Sequence, residues 1–208
     1  MNQPVVFTPY PGKRCLDIVG AVILLLVSAP IFLALTAAIL VAHGKSVLFW
    51  QRRVGLNGKL FAFPKFRSMV TDAEARKALL RDQNMHGVDD VTFKMSRDPR
   101  TTRTGRFIRR HSLDELPQLW CVLKGDMSLV GPRPPVPEEV ARYTPEQQRR
   151  LEVKPGLTGL WQVSGRSELS FRQQVALDLD YAEKQSLPLD LKILARTVPA
   201  VLTGRGAY

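Results

Sequence analysis

The residues with the clearest potential for chemistry lie at positions 109–117, in the string Arg-Arg-His-Ser-Leu-Asp-Glu-Leu-Pro. On a regular helix, adjacent carboxylates point about 100° apart and do not converge. Pro117 changes this expectation, because proline is tolerated in the first turn of a helix, where its missing N–H is not needed. We therefore predict that a helix begins near Asp114, with Asp114 as its N-cap, and ends near Lys124.

In that position Asp114 and Glu115 lie at the positive end of the helix dipole, beside Arg109 and Arg110. This environment favours the ionised carboxylate, the form that an oxygen nucleophile or a metal ligand requires. A structural alternative stays open. Ser112 and Glu115 have the spacing of a capping box, in which both side chains bind backbone N–H groups.

Basic residues beside glycine or proline recur elsewhere in the chain. Lys65 and Arg67 stand in PKFRSM, Arg133 in GPRP and Arg166 in SGR. A guanidinium group binds phosphate oxygens through two parallel hydrogen bonds, and a nearby glycine or proline fixes how the backbone approaches a ligand. Each site alone is more typical of a solvated surface arginine. Together they favour a phosphate-rich substrate.

The charge of the chain also indicates an anionic partner. Its 208 residues fit one domain, or one domain with an anchor, and the formal net charge is +11. Nucleic acid, an anionic membrane surface or a phosphorylated substrate would complement this charge. The two cysteines, Cys15 and Cys121, form no metal-ligand cluster, so we expect no zinc site.

The apolar run from Ile18 to Ala42 contains no charged residue over 25 positions. As a helix it would extend about 37 Å, enough for a hydrocarbon core of roughly 30 Å. We therefore predict a membrane element. A buried core helix and a cleaved signal peptide are the alternatives, and the length of the run and its basic flanks argue against the signal peptide.

Pro30 lies at the midpoint of this run, two residues after Ser28. Proline removes a helical hydrogen bond, and a serine hydroxyl can satisfy a backbone group that is left free. Lys13 before the run and Arg52 after it give both ends the charge of the cytoplasmic side. These features favour a re-entrant helix-break-helix with its break at Ser28 and Pro30, and a single-pass helix with a mild kink stays open.

The rest of the chain predicts a mostly helical α+β domain. Val47 to Phe63 alternates apolar and polar residues around an Asn-Gly pair, which predicts a β-hairpin. Further helices are predicted from Thr71 or Asp72 to about Met85, at 145–152, at 168–184 and, amphipathic, at 188–202. Loops are predicted at 86–103, 131–137 and 154–165. The predicted organisation is a lead-in at 1–15, a re-entrant membrane hairpin at 16–44 and a cytoplasmic domain with interfacial helices at 45–208.

Several short strings make this sequence resemble the bacterial sugar transferase family, the monotopic phosphoglycosyl transferases that begin surface-glycan assembly. The strings that carry the resemblance follow the family's order from about Lys13 onward. They are KFRSM (65–69), DELPQLW (114–120), KGDMSLVGPRP (124–134), PGLTGLWQVSGR (155–166), DY (180–181) and LDLKIL (189–194). The chain is similar to the compact form of the family, but its Ser28-Ala29-Pro30 differs from the adjacent Ser-Pro of members of this size.

The resemblance implies transfer of a sugar 1-phosphate from a UDP-sugar to polyprenyl (undecaprenyl) phosphate, through a covalent aspartyl-phosphosugar on Asp114. It implies Mg²⁺ at Asp114 and Glu115, with Glu115 as a metal ligand or a proton acceptor. The other implied active-site positions are Lys65, Arg109, Arg133, Arg166 and Asp190. Asp190 could equally cap the last helix instead of acting at the site.

The implied location is the cytoplasmic face of the bacterial inner membrane, in contact with its lipids, in exopolysaccharide or lipopolysaccharide biosynthesis. The sequence does not determine the sugar or the oligomeric state, and it is compatible with a homodimer. A basic membrane-tethered binding protein is a second hypothesis, but no nucleic-acid motif supports it and nucleic acid is not expected as a partner. A non-catalytic scaffold is a third, against which the intact Asp114–Glu115 pair argues.

Overall fold

The computed structural model describes residues 7–44, 46–80 and 98–204, together with 82, 84, 85, 87, 91, 92 and 95. Eight α-helices are seen among these residues: α1 Lys13–His43, α2 Ala73–Leu79, α3 Arg103–Arg110, α4 Leu119–Lys124, α5 Pro137–Val140, α6 Pro145–Gln148, α7 Phe171–Lys184 and α8 Leu187–Thr203. Four strands form two small sheets: β1 Leu48–Val54, β2 Leu60–Phe66, β3 Ser128–Val130 and β4 Gly156–Thr158. Mostly helical α+β architecture is therefore confirmed. Residues 1–6 of the predicted lead-in lie outside the described residues.

The apolar run forms α1, a helix of 31 residues with Pro30 inside it. Its length and composition are sufficient to cross a membrane, and much of its apolar surface is exposed, including Val27 at 72% and Val41 at 90%. The Ser28 hydroxyl lies 3.5 Å from the carbonyl oxygen of Leu25. The helix continues through Pro30, so the predicted break does not divide it into two elements.

Both halves of α1 pack against the rest of the protein. In the first half, Ala21 joins the main apolar core, which also contains Leu129 of β3. In the second half, Leu35 and Ile39 pack with Ile108 of α3 in a separate apolar cluster. The globular part of the protein therefore contacts α1 in both its N-terminal and its C-terminal half.

The predicted hairpin is confirmed, since β1 and β2 pair antiparallel with Leu48 opposite Phe66. Asn57 and Gly58, in the turn between them, have φ angles of 54° and 80°, which an Asn-Gly pair adopts readily. Opposite residues of an antiparallel pair project from the same face. Gln51, Arg53 and Lys65 therefore share one face of the hairpin with Phe61 and Phe63.

The second sheet was not predicted, because its parallel strands β3 and β4 have three residues each and show no periodicity. The prediction of a loop-rich segment at 154–165 is wrong at Gly156–Thr158. Two glycines make the pairing feasible: a Cβ added at Gly156 would lie 2.0 Å from the backbone nitrogen of Gly131. The backbones approach too closely there for any larger residue.

The remaining predicted helices are largely confirmed at 145–152, 168–184 and 188–202. Two expectations were wrong. Helix α2 ends at Leu79 rather than near Met85. Helix α3 begins at Arg103, where only the end of a loop was predicted, and Thr102 caps it by accepting a hydrogen bond from the Gly105 backbone N–H. Much of the predicted loop at 86–97 lies outside the described residues.

Candidate active site

The two adjacent carboxylates lie in a tight turn that precedes α4. This turn is a 3-10 helix, Leu113–Gln118, so the helix predicted from Asp114 begins in a 3-10 conformation and becomes α-helical at Leu119. Ser112 occupies the N-cap position, with a left-handed backbone at φ 53°, and Asp114 lies inside the first turn. The prediction of Asp114 as the N-cap is therefore wrong.

The capping box that remained open as an alternative does not form. The Ser112 side chain makes no cap hydrogen bond. The Glu115 carboxylate instead accepts hydrogen bonds from Lys65 and Arg133, at 2.9 Å and 3.3 Å from its Oε1 atom. Glu115 is thus directed into a basic site rather than back toward the helix terminus.

Lys65 of β2 lies between the two carboxylates. Its Nζ atom is 2.9 Å from Oε1 of Glu115 and 3.8 Å from Oδ2 of Asp114. The side chains of the three residues are 16% exposed for Lys65 and Glu115 and 9% for Asp114. Water therefore screens these charges weakly, and each strongly affects the ionisation of its neighbours.

Burial and neighbouring charges separate the two carboxylates. Burial opposes ionisation of Glu115, but the charges of Lys65 and Arg133 outweigh it and lower the pKa of Glu115 to about 2. Burial raises the pKa of Asp114, and the charge of Glu115 adds to this effect against the attraction of Lys65. The expectation that the environment favours ionisation of both carboxylates therefore holds for Glu115 and is wrong for Asp114. Burial also lowers the pKa of Lys65.

A cavity of about 340 Å³ opens beside these groups. It is lined by six of the seven active-site positions that the family resemblance implies, namely Lys65, Arg109, Asp114, Glu115, Arg133 and Arg166. Arg67 also lines it and donates a hydrogen bond to the Ser46 carbonyl. The structure thus brings together residues from β2 and the segment after it, from α3, from two 3-10 turns (Leu113–Gln118 and Arg166–Glu168) and from the irregular segment that contains Arg133.

Two residues at this cavity have left-handed backbone without being glycine. Ser112 and Arg166 both have φ angles of 53°, and an Arg166 guanidinium nitrogen lies 3.4 Å from the Ser112 hydroxyl. Non-glycine residues in this region carry a conformational cost of about 1–3 kcal/mol each. Such strain concentrates at functional sites, where the surrounding packing maintains it.

The structure does not bring Asp190 to this cavity. Asp190 is fully buried in α8, where its carboxylate accepts hydrogen bonds from Lys13, Tyr181 and Tyr10 at 2.6–2.9 Å. It does not cap α8, because Ser186 holds the N-cap position. Ser28 and Pro30 lie in α1 and are likewise absent from the cavity lining.

Several further residues line the cavity without a site role predicted from the sequence, among them Arg53, Arg150 and Gln162, although Gln162 lies within a family string. Arg53 follows Arg52 after the apolar run, and in the sequence it stands out only as a further basic residue on that flank. The hairpin register could have revealed it, since alternation places Arg53 and Lys65 on the same face. Burial and the charge of Arg133 lower the pKa of Arg53 to about 10.

The carboxylate pair is the feature most compatible with a magnesium ion. Among the described residues, no group of three or more His, Cys, Asp or Glu side chains is arranged to hold a metal ion. Mg²⁺ needs fewer protein ligands, since it is usually bound through one or two carboxylates together with substrate phosphates. Asp114 and Glu115 fit that donor set, and the low pKa of Glu115 keeps its carboxylate ionised.

Comparison with known proteins finds similarity to sugar transferases over nearly the whole chain. The sequence model of a family described as bacterial sugar transferase matches residues 9–204. The galactosyl transferase CpsE of Streptococcus agalactiae is 49% identical over 198 residues, and the undecaprenyl-phosphate galactose phosphotransferase of Salmonella typhimurium is 44% identical over 198. A UDP-glucose:undecaprenyl-phosphate glucose-1-phosphate transferase of Caulobacter vibrioides is 41% identical over 204 residues.

Each of these alignments covers 94% of the chain, and the family model, over residues 9–204, spans α1, the cavity residues and α8. The chain spans 43% and 41% of the length of the first two relatives and 72% of the third. The similarity therefore extends over the whole described fold, whereas the first two relatives contain a large additional portion.

Proposed function

The chain belongs to the bacterial sugar transferase family, and we propose on this basis that it transfers a sugar 1-phosphate from a UDP-sugar to polyprenyl phosphate. The observation that carries the proposal is the cavity in which two carboxylates face several cationic side chains. A nucleotide sugar contributes a diphosphate, and the lipid carrier contributes a further phosphate. A site with this excess of positive charge is suited to hold both anionic groups.

The reaction has two steps at the β-phosphorus of the UDP-sugar. In the first, a carboxylate oxygen of Asp114 forms a bond to this phosphorus, the bond to the bridging oxygen breaks, and UMP leaves with the electron pair. In the second, a phosphate oxygen of polyprenyl phosphate attacks the same phosphorus, and the Asp114 carboxylate leaves. One phosphoanhydride replaces another, so catalysis depends mainly on positioning and on neutralisation of charge.

The neighbours of Asp114 support its role as the nucleophile. Lys65 lies 3.8 Å from its carboxylate and counteracts the burial that favours the neutral acid. Glu115 is ionised, and Lys65 and Arg133 hold it beside Asp114. When bound, Mg²⁺ would be held by Asp114 and Glu115 and would neutralise charge on the diphosphate. Arg109, Arg133 and Arg166 line the same cavity and would bind phosphate oxygens.

The contacts of α1 support a monotopic anchor, in which both ends of the helix lie on the same side of the membrane. Lys13 at its first turn and Ile39 near its last turn are both buried against the globular part. In a straight helix these residues would be about 39 Å apart along the axis. A helix that crossed the bilayer perpendicularly, with the globular part on one side, would place only one of them in contact with it. A monotopic anchor on one face satisfies both contacts.

The outer surface of α8 is consistent with location at a membrane interface. Leu187, Leu191, Val198 and Leu202 are exposed at helical spacing, on the side opposite the buried Ile193. Because UDP-sugars are cytoplasmic, we place the globular part on the cytoplasmic face of the bacterial inner membrane. There the reaction would begin assembly of a surface glycan.

The test is release of UMP by the purified protein in nanodiscs, supplied with undecaprenyl phosphate, Mg²⁺ and a panel of UDP-sugars. UDP-galactose and UDP-glucose come first, because the relatives are named for these sugars. We expect release with one donor and its loss in Asp114→Asn. The matched control is Asp126→Asn, which changes an aspartate paired with Lys124 after α4. Full activity of Asp114→Asn would refute the proposed nucleophile, and absence of release with every donor would refute the proposed reaction.

A further inference from the structure

The segment that carries Arg133 is irregular but firmly held. It runs from Gly131 to Val136, and Pro132, Pro134 and Pro135 lie within it. Proline fixes its own φ angle and has no N–H group, so the carbonyl oxygens are the main backbone groups that need partners here. How these carbonyls are bound determines where the Arg133 side chain begins.

Each carbonyl from Pro132 to Pro135 accepts a hydrogen bond from a different donor. Backbone N–H groups bind two of them: Gly156 donates to Pro132 at 2.8 Å, and Val54 donates to Pro135 at 2.9 Å. Arginine side chains bind the other two. Arg53 donates to Pro134 at 2.9 Å, and Arg150 contacts the carbonyl of Arg133 at 3.5 Å.

All three guanidinium nitrogens of Arg53 contact protein acceptors. Its Nε and one terminal nitrogen donate to Oε1 of Gln51 at 3.1 Å and 2.8 Å, while the other terminal nitrogen donates to Pro134. The guanidinium carbon also lies 5.1 Å from the centre of the Phe63 ring. The side chain is therefore fixed from the hairpin on one side and attached to the proline-rich segment on the other.

Arg150 supports the segment from a second direction. It is buried, donates a hydrogen bond to the Tyr143 hydroxyl and forms an ion pair with the buried Asp178 of α7. The segment is thus held between the hairpin and the helical part of the domain. From this held segment the Arg133 side chain extends to Glu115, and one of its terminal nitrogens lies 3.3 Å from Oε1 of Glu115.

We propose that Arg53 is a positioning residue, which fixes the proline-rich segment so that Arg133 reaches Glu115 and the substrate phosphate. The assay of this role by turnover rests on the proposed function. A lysine cannot replace Arg53, because a single ammonium group does not reproduce the planar set of donors that joins Gln51 to Pro134. Misplacement of a catalytic contact by about 1 Å can cost on the order of 100-fold in rate.

The test is a double-mutant cycle between Arg53 and Arg133, measured as kcat/KM for UMP release. Arg53→Gln and Arg53→Lys should each lower kcat/KM by about 10- to 100-fold. In an Arg133→Ala background the same changes should have little further effect, because the group that Arg53 positions is already gone. The matched control is Arg52→Gln, which removes an exposed arginine from the opposite face of the same strand and should leave kcat/KM unchanged.

A second measurement does not depend on catalysis. Hydrogen–deuterium exchange of the Gly131, Arg133 and Val136 amides, the three that this segment contains, should be faster in Arg53→Lys than in the parent and in Arg52→Gln. The thermal unfolding temperature should stay close to that of the parent. Additive losses in the cycle would overturn the proposal by showing that Arg53 acts independently of Arg133. Unchanged exchange would also overturn it. Failure of the parent to release UMP would refute the proposed function, and the exchange experiment would still decide the role of Arg53.

Discussion

Replacing Lys13 with methionine should destabilise this protein strongly, because it leaves a buried carboxylate without its counter-ion. The Lys13 ammonium group lies 2.6 Å from Oδ2 of Asp190 and 3.0 Å from both the Tyr181 hydroxyl and the Val130 carbonyl. The side chains are 7% exposed for Lys13 and 0% for Asp190. This cluster attaches the first turn of α1 to α8 and β3.

The size of the effect follows from the burial of the pair. Removing one partner of a buried ion pair costs about 3–5 kcal/mol, because the remaining charge is neither solvated nor paired. For a protein of 150–250 residues, each kcal/mol shifts the unfolding temperature by about 2–4 °C. Lys13→Met should therefore lower the unfolding temperature by roughly 6–20 °C. Removing both charges in Lys13→Met/Asp190→Asn should recover more than half of this loss, since no uncompensated ion remains.

The assay is thermal unfolding in detergent, followed by tryptophan fluorescence, with the exposed Lys59→Met as control. An unchanged unfolding temperature in Lys13→Met would refute the argument, and so would a double variant less stable than the single one. UMP release by the double variant then tests the role of Asp190. If Asp190 acts only through this cluster, the double variant should retain activity, whereas a stable but inactive double variant would place Asp190 among the catalytic groups.

Two further predictions concern ionisation and topology. Initial rates of UMP release should fall as the pH is lowered through the raised pKa of Asp114, because the protonated acid is not a nucleophile. Glu115, with a pKa of about 2, stays ionised over this range. Glu115→Gln should move this fall in rate to lower pH, since loss of the neighbouring negative charge lowers the pKa of Asp114. If the fall does not move, the titrating group is not Asp114. In membrane vesicles of defined orientation, an impermeant thiol reagent should label the exposed Cys15 and a cysteine introduced by Ser46→Cys from the same, cytoplasmic face. Labelling of the two from opposite faces would show a spanning helix instead.

Several local features could be predicted from the sequence because the interactions that form them join residues close in the chain. The Asn57-Gly58 pair and the alternation around it predict the hairpin, since a tight turn and period-two burial are local properties. The apolar run predicts α1, and periodicity predicts α7 and α8. The resemblance to the family also implies active-site positions, and six of them line the cavity.

Other features depend on contacts that local patterns do not encode. Lys65 and Glu115 are separated by 50 positions and Lys13 and Asp190 by 177, yet both pairs are in direct contact. In the sequence, Lys13 indicates only the cytoplasmic side of the apolar run. In the structure, its burial beside Asp190 makes it a structural anchor. Strands β3 and β4 are too short for a periodic pattern, so only the close approach of Gly131 and Gly156 in the folded chain reveals them.

Local patterns in the chain are thus sufficient to predict α1, the hairpin, the long helices and a set of basic and acidic residues suited to phosphate chemistry. The tertiary structure decided which of those residues share a cavity, that Asp190 is not among them, and that Arg53 is. It also decided that Glu115 is the more readily ionised carboxylate and Asp114 the less. Helix and turn formation depends on neighbours in the chain, whereas burial and electrostatic pairing depend on which distant segments pack together.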